Sequence, residues 1–145
     1  MADFFQNGEI SNLHRLKPGD IERLEREIEG FSQKRPIALV LPALFQDLTA
    51  KPIKNILSEI AKVNYLNEIV VTIGRTKKEE FAEVKAMFAS FNLPVAIIWN
   101  DGENIQELYS ILEKEGVSAG GDGKGRSAWI AYGYILARGC GRARP

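Results

Sequence analysis

The sequence predicts an α/β fold: a Rossmann-like, three-layer arrangement around a parallel sheet, with an N-terminal helix in front of it. Three observations lead there. Short continuous apolar runs recur along the chain, and each is followed by a stretch with helical periodicity. Turn and cap residues punctuate the alternation. The distance between runs leaves room for a helical crossover, and such crossovers are right-handed and join parallel strands.

The elements follow in order. "DIERLEREIEGF" sets Ile21, Leu24, Ile28 and Phe31 on one helical face, with Glu22 and Arg26 four apart on the other. "PIALVL", residues 36–41, reads as a strand buried on both faces, the pattern of a parallel sheet. "KPIKNILSEIAKV" carries Pro52, which a first helical turn tolerates, and an apolar stripe of Ile53, Ile56, Leu57 and Ile60. "NEIVVTIG" is a second strand. Thr76 and Glu79 then form a T-x-x-E capping box before a helix whose buried face is Phe81, Val84, Phe88 and Phe91. "LPVAIIW" is a third strand, and "NDGENIQELYSILEKEG" is an Asn/Asp cap, a helix and a terminating Gly116. Residues 117–125 form a glycine-rich loop. "RSAWIAYGYILA" is a last helix, apolar nearly all round and therefore buried, and Trp99 and Trp129 belong to the core.

Composition narrows the function classes. Nineteen basic residues balance nineteen acidic ones, so no global field draws the chain to nucleic acid or an anionic membrane. Arg138, Arg142 and Arg144 make only a short basic tail, and the expectation is no nucleic-acid partner. No apolar stretch approaches the roughly 18 residues of a membrane span, and the first residues lack the pattern of a secretory signal. The single cysteine, Cys140, excludes an intrachain disulfide framework and has no nucleophile context. A cytoplasmic location is the expectation. His14 has no partner at metal spacing, and Asp3, Asp47, Asp101 and Asp122 form no metal-ligand pattern.

In open parallel sheets, ligands bind beyond the carboxyl ends of the strands. Those ends are "PALFQD", "GRT" and "NDG", all at one edge. The loop "GGDGKGRS" adds glycines that let backbone N–H groups approach an anion, the charge of Lys124, and a helix N-terminus. It is not a Walker A loop, because Ser118 and Gly125 stand where that pattern needs glycine and Ser/Thr. It is not a dinucleotide loop either, because it follows the third strand–helix unit instead of the first strand. Spacing alone suits a solvated surface loop equally well.

Read in order, "RPIALVLPALFQDL", "YLNEIVVTIGRT", "AIIWNDG" and "GKGRSAWIAYGYILARG" resemble the N-terminal, nucleotide-binding half of bacterial GT-A fold glycosyltransferases, the group of glucosyl-3-phosphoglycerate and mannosylglycerate synthases. The resemblance covers residues 3–139. It implies an N-terminal segment and helix over 1–34, a partial nucleotide-sugar-binding α/β domain over 35–139, and a basic tail over 140–145 outside the family pattern. It implies a nucleoside diphosphate sugar, UDP- or GDP-hexose, as ligand. Pro42 and Ala43 would line the base and Lys124, between Gly123 and Gly125, would reach the nucleotide. Gly74 and Arg75 would supply a base or ribose contact, although relatives tend to carry an acid before that arginine. Asp47, Asn100 and Asp101 complete the candidate set.

The family's Asp-x-Asp, which holds Mg²⁺ or Mn²⁺ against the diphosphate, has no counterpart in this chain. The resemblance therefore implies no catalytic residue, no metal ligand and no metal held here, and a chain that stops short of the acceptor half, binding nucleotide without turnover. A missing fourth strand would leave "PIALVL" as an open edge, which predicts self-association. Two alternatives stay open on the residues. One is a non-catalytic flavodoxin- or receiver-like interaction module. The other is a phosphate-binding enzyme of different chemistry.

Overall fold

In a computed structural model of the chain, the described residues are 20–139. The expectations for Asp3, His14, Cys140, Arg142, Arg144 and the tail 140–145 lie outside them. Among the described residues the order is α1 (Ile21–Lys34), β1 (Ile37–Leu44), α2 (Phe45–Thr49), α3 (Lys51–Ile60), β2 (Leu66–Gly74), α4 (Lys78–Phe88), β3 (Val95–Trp99), α5 (Glu103–Lys114) and α6 (Lys124–Ala137). The three strands are parallel and lie in the order β1-β2-β3. The α/β, Rossmann-like arrangement predicted above is therefore present, with an N-terminal helix before it.

The two faces of the sheet hold separate cores. On one, Ile69, Val71 and Ile73 of β2 pack with Leu48, Val84 and Phe88, under α2, α3 and α4. On the other, Val70 and Ile98 pack with Tyr109 of α5 and with Ile130 and Ala131 of α6. The period-2 alternation of a strand sends neighbouring β2 side chains to opposite layers. From Glu68 to Gly74 every residue of β2 is buried, because this strand has a neighbour on each side.

Several expectations need correction. "PIALVL" is half-buried along its whole length, since β1 is an edge strand among the described residues. The strand also runs on to Leu44, so Pro42 and Ala43 lie within its last turn of pleat instead of in a loop. Proline is tolerated there because an edge strand leaves one side without ladder partners. Within "PALFQD", Phe45 opens the short helix α2, where Asp47 Oδ2 accepts from Leu44 N at 3.3 Å. Ile56 is exposed, while Ile53, Leu57 and Ile60 pack on the core.

The capping box lies one residue later than the sequence pattern suggests. Lys77 N donates to Glu80 Oε2 at 2.8 Å, whereas the Thr76 hydroxyl turns back to Gly74 O at 2.9 Å. The cap of α5 is Gly102, not an Asn or Asp side chain. The last helix begins at Lys124, and it is not buried all round: Trp129, Tyr132 and Leu136 are exposed at 43%, 56% and 71%. An apolar sequence does not bury a face that no neighbouring layer covers. Trp129 is thus a surface residue, whereas Trp99 stacks on Phe81 with ring centroids 5.0 Å apart. Glu22 and Arg26 do pair, at 3.8 Å and well exposed, which contributes little. Among the described residues, no helix is long and apolar enough to cross a membrane.

The contrast between the central strand and the open helix face is measurable. Ile73→Ala, at a site with 0% exposure, is expected to cost about 2–5 kcal/mol in urea unfolding. Leu136→Ala is expected to change stability by less than about 0.5 kcal/mol.

Candidate functional site

The carboxyl edge of the sheet is organised by Asn100, the first residue after β3. It is 1% exposed. Its N–H donates to Ile73 O at 2.8 Å, and its carbonyl accepts from Gln106 Nε2 at 2.6 Å. Its side-chain Nδ2 donates to Ser127 Oγ at 2.8 Å. One residue therefore ties the end of β2 to α5 and to the first turn of α6. Its Oδ1 is buried without a hydrogen-bond partner. Gly74 lies against it: a Cβ there would meet Asn100 Nδ2 at 3.6 Å, an ordinary contact.

Asp101 turns the other way. Its Oδ2 accepts from Thr76 N at 2.9 Å, which fixes the turn after β2, and Trp99 Nε1 donates to Thr76 O at 2.9 Å. Gly102 then needs its missing side chain for space, because a Cβ would sit 2.9 Å from Trp99 Cε3. Its φ of −72° is ordinary.

These ties leave a crevice of about 200 Å³ between the ends of β1 and β2 and the start of α6. Its walls are Pro42, Ala43 and Leu44 on one side, Gly74 and Arg75 below, and Asp122, Gly123, Lys124 and Ser127 on the other. Of the sequence-predicted set, Pro42, Ala43, Gly74, Arg75, Gly123 and Lys124 thus meet around one space. Asn100 lies beneath it, joined through Ser127. Gly125 is in the first turn of α6 and does not line it. Asp47 and Asp101 do not line it either, and both carboxylates are engaged by backbone N–H groups.

Sequence reasoning passed over the charge cluster at the mouth. Arg75 has a φ of +54°, the left-handed region that non-glycine residues rarely adopt. Its Nε donates to Asp122 Oδ2 at 2.9 Å, and Arg126 Nη2 donates to Asp122 Oδ1 at 3.0 Å. Arg126 is set over the Tyr109 ring, 4.8 Å from its centroid. The hydrogen bond from Arg75, aided by the nearby charges, holds the Asp122 carboxyl below its ordinary value. Burial pushes the Tyr109 hydroxyl up, with Arg126 acting against it. The only local signal for this cluster was the acid inside a run of glycines.

A larger cleft of about 650 Å³ runs along the outer edge of β3, lined by Phe81, Ile97 and Trp99 with Asp101 and Glu103 at its rim. Lys78 is the one cation among its lining residues. Size favours that groove, but an anion would find its cations in the smaller crevice.

Comparison with known proteins separates the readings left open by the residues. Over 136 residues, 94% of this chain and 34% of the other, the sequence is 42% identical to a glucosyl-3-phosphoglycerate synthase of Persephonella marina. Over 132 residues, 90% of this chain and 32% of the other, it is 30% identical to a glucosyl-3-phosphoglycerate synthase of Methanococcoides burtonii. By sequence, this chain is a relative of the glucosyl-3-phosphoglycerate synthases. It spans about a third of the length of the synthases it matches. No protein-family model matches the chain, and no solved structure does. The synthases give no support to the receiver-like alternative.

The resemblance to these synthases raises the question of a divalent metal. Among the described residues no group of three or more His, Cys, Asp or Glu side chains could hold one. The acid at the crevice, Asp122, is already shared by two guanidiniums, and Asp101 is bound to Thr76 N. The described residues therefore do not fit a metal cage.

Two measurements probe this geometry. Gly102→Ala is expected to destabilise the chain by about 1–3 kcal/mol, because the new methyl displaces the Trp99 ring or its carbonyl. Thermal unfolding followed by tryptophan fluorescence reads it. For Asp122, a depressed folded-state pKa means that its contacts are present above the ordinary value of 3.8 and lost as pH falls through the lower one. A carbon-detected NMR titration should give its midpoint below 3.8, moving back toward 3.8 in Arg75→Ala.

Proposed function

We propose that this chain provides the donor-nucleotide portion of a GT-A type glycosyltransferase, binding the nucleotide end of a nucleoside diphosphate sugar in the crevice between β1, β2 and α6. The observation that carries the reading is the convergence of Pro42, Ala43, Gly74, Arg75, Gly123 and Lys124 around one space, in a relative of glucosyl-3-phosphoglycerate synthases. In this reading 35–139 is the nucleotide-binding unit and 1–34 the segment and helix before it.

The chemistry of the walls supports an assignment of parts. Pro42 and Ala43 offer a small apolar surface, suited to a base or ribose edge. Lys124 stands in the first turn of α6, and Gly123 caps that helix without a side-chain hydrogen bond. The first N–H groups of α6 are thus open to an anion, and the helix dipole favours negative charge there. Among the described residues, no acid lies within salt-bridge distance of Lys124. Its charge is uncommitted, and a phosphate is the complementary group.

Volume limits what is held. About 200 Å³ is below the roughly 300–1,000 Å³ of sites that enclose a drug-sized ligand. The crevice therefore takes part of a donor molecule, and the sugar projects from it. The relatives are named as synthases of glucosyl-3-phosphoglycerate, and a hexosyl donor is proposed here on that similarity alone. No step is assigned to a metal, and no described residue is assigned as a catalytic acid, base or nucleophile. Self-association through the open edge of β1 is part of the same proposal, and sedimentation would register it as a mass that rises with concentration.

Titration calorimetry with UDP, GDP and their hexose conjugates tests the reading. Weak binding, in the micromolar-to-millimolar range, is expected for at least one of them. Lys124→Ala should weaken it about fivefold or more, the loss of one charge-assisted contact. Gly123→Ala should leave the melting temperature unchanged, since its φ of 164° is extended backbone and a Cβ meets nothing within 4 Å. The added methyl should still weaken binding, because it enters the crevice. No heat from any of these ligands at millimolar concentration would overturn the proposal.

A further inference from the structure

Arg75 and Arg126 come from different elements and are brought together by a single carboxylate. Asp122 gives one oxygen to each, at 2.9 Å and 3.0 Å. That is the arrangement a phosphate group would adopt between two guanidiniums. We propose that Asp122 is a built-in stand-in for the ligand's phosphate: it holds the two arginines at the crevice when no ligand is there, and it yields them to the diphosphate on binding. The inference rests on the donor-nucleotide reading of the crevice given above.

Three observations support an exchangeable contact over a permanent strut. The first is exposure. Asp122 and Arg75 side chains are 42% and 66% exposed, so the pair between them is screened and contributes little to folding. A phosphate bearing more charge on more oxygens can compete for the same donors. The second is the backbone. Asp122 lies between Gly121 and Gly123, and Gly120 has a φ of +73°, while a Cβ on any of the three meets nothing within 4 Å. Nothing packs against this segment at those positions, so the carboxylate can swing away without disturbing a core. The third is the fixed partner. Arg126 has 19% side-chain exposure and lies over the Tyr109 ring, so its guanidinium stays in place when Asp122 leaves.

The exchange has a consequence for selectivity. A ligand with one weak negative charge gains no more from the two arginines than Asp122 already does. A diphosphate gains more, and it also moves the Asp122 charge away from its own. Asp122 therefore raises the threshold for anions in general and favours those of higher charge. It acts as a positioning and selectivity residue, not a catalytic one.

The test compares the full chain with Asp122→Asn by calorimetry against UDP, GDP and inorganic pyrophosphate. Asparagine keeps the size but releases the arginines and removes the competing charge. The variant should bind roughly five- to thirtyfold more tightly, the equivalent of two exposed ion pairs. Arg75→Ala should bind more weakly than the parent, and the double variant Arg75→Ala/Asp122→Asn should lose most of the gain. Wild-type NMR gives a readout independent of any variant's folding. On adding pyrophosphate, the Arg75 Nε–H and Asp122 carboxyl resonances should shift together. Parent binding with equal or weaker binding by Asp122→Asn would overturn the exchange and leave the donor-nucleotide reading standing. Movement of the Arg75 resonance without that of Asp122 would also overturn it. Absence of binding by parent and variant alike would remove both.

Discussion

The crevice depends on a buried amide. Asn100 receives its position from β3, reaches β2 through Ile73 O, holds α5 through Gln106 and holds α6 through Ser127. With 1% exposure it makes these bonds where water does not compete, so each is worth more than at the surface. The start of α6 could otherwise slide along the sheet, because the apolar contacts of Ile130 and Ala131 are not directional. A hydrogen bond from a fixed strand end to Ser127 supplies the missing register. Lys124, one turn before Ser127, inherits its place from that bond. Gly74 adjoins the same amide with a Cβ-to-Nδ2 separation of 3.6 Å, so the floor of the crevice rests on it too.

At its far end α6 is tied down by a second polar contact. Arg138 Nη1 donates to Glu68 Oε1 at 3.1 Å, and Tyr134 Oη approaches the same carboxylate at 3.4 Å. Glu68 is buried near the start of β2, so α6 crosses the sheet from the carboxyl edge of the strands toward their amino edge. The helix is thus located by polar contacts at its ends and apolar contacts at its middle. Its outward face, with Trp129, Tyr132 and Leu136, makes no contribution to this placement. The same holds for α1, where Ile21, Leu24 and Phe31 are exposed and no residue of the helix is buried.

Much of the fold was legible because its signals are local. Strand runs and helical stripes repeat within a window of a dozen residues, and β2 was readable from "NEIVVTIG" alone. The meeting of Pro42 and Gly74 was legible for a different reason: parallel strands put their carboxyl ends at one edge whatever the side chains are, whereas the place of Lys124 beside them was implied by the family resemblance. What was missed depends on neighbours distant in sequence. Thr76 looked like a cap, but Asp101, 25 residues on, takes its N–H and leaves the cap to Lys77. Trp129 looked like core because hydrophobicity says nothing of which layer is absent. Arg75 and Asp122 are 47 residues apart, and neither carries a pattern that announces the other.

The charge at the crevice resolves an apparent conflict with composition. A chain with equal numbers of acids and bases has no field to steer an anion from a distance. Arg75 and Arg126 nevertheless share one anion, Asp122, and Lys124, which has no acid within salt-bridge distance among the described residues, lines the same crevice as Arg75 and Asp122. Beyond a Debye length of about 8–10 Å mobile salt ions largely screen this excess. Within it, the excess is only partly screened and acts on whatever has already arrived. In the proposed donor-nucleotide reading, recognition is therefore short-ranged: it discriminates among bound anions by their charge and by their fit between two guanidiniums, and does little to accelerate their arrival. In the same reading, such a device suits a ligand whose base lays a ring face on Pro42 and Ala43 while its phosphates meet the guanidiniums.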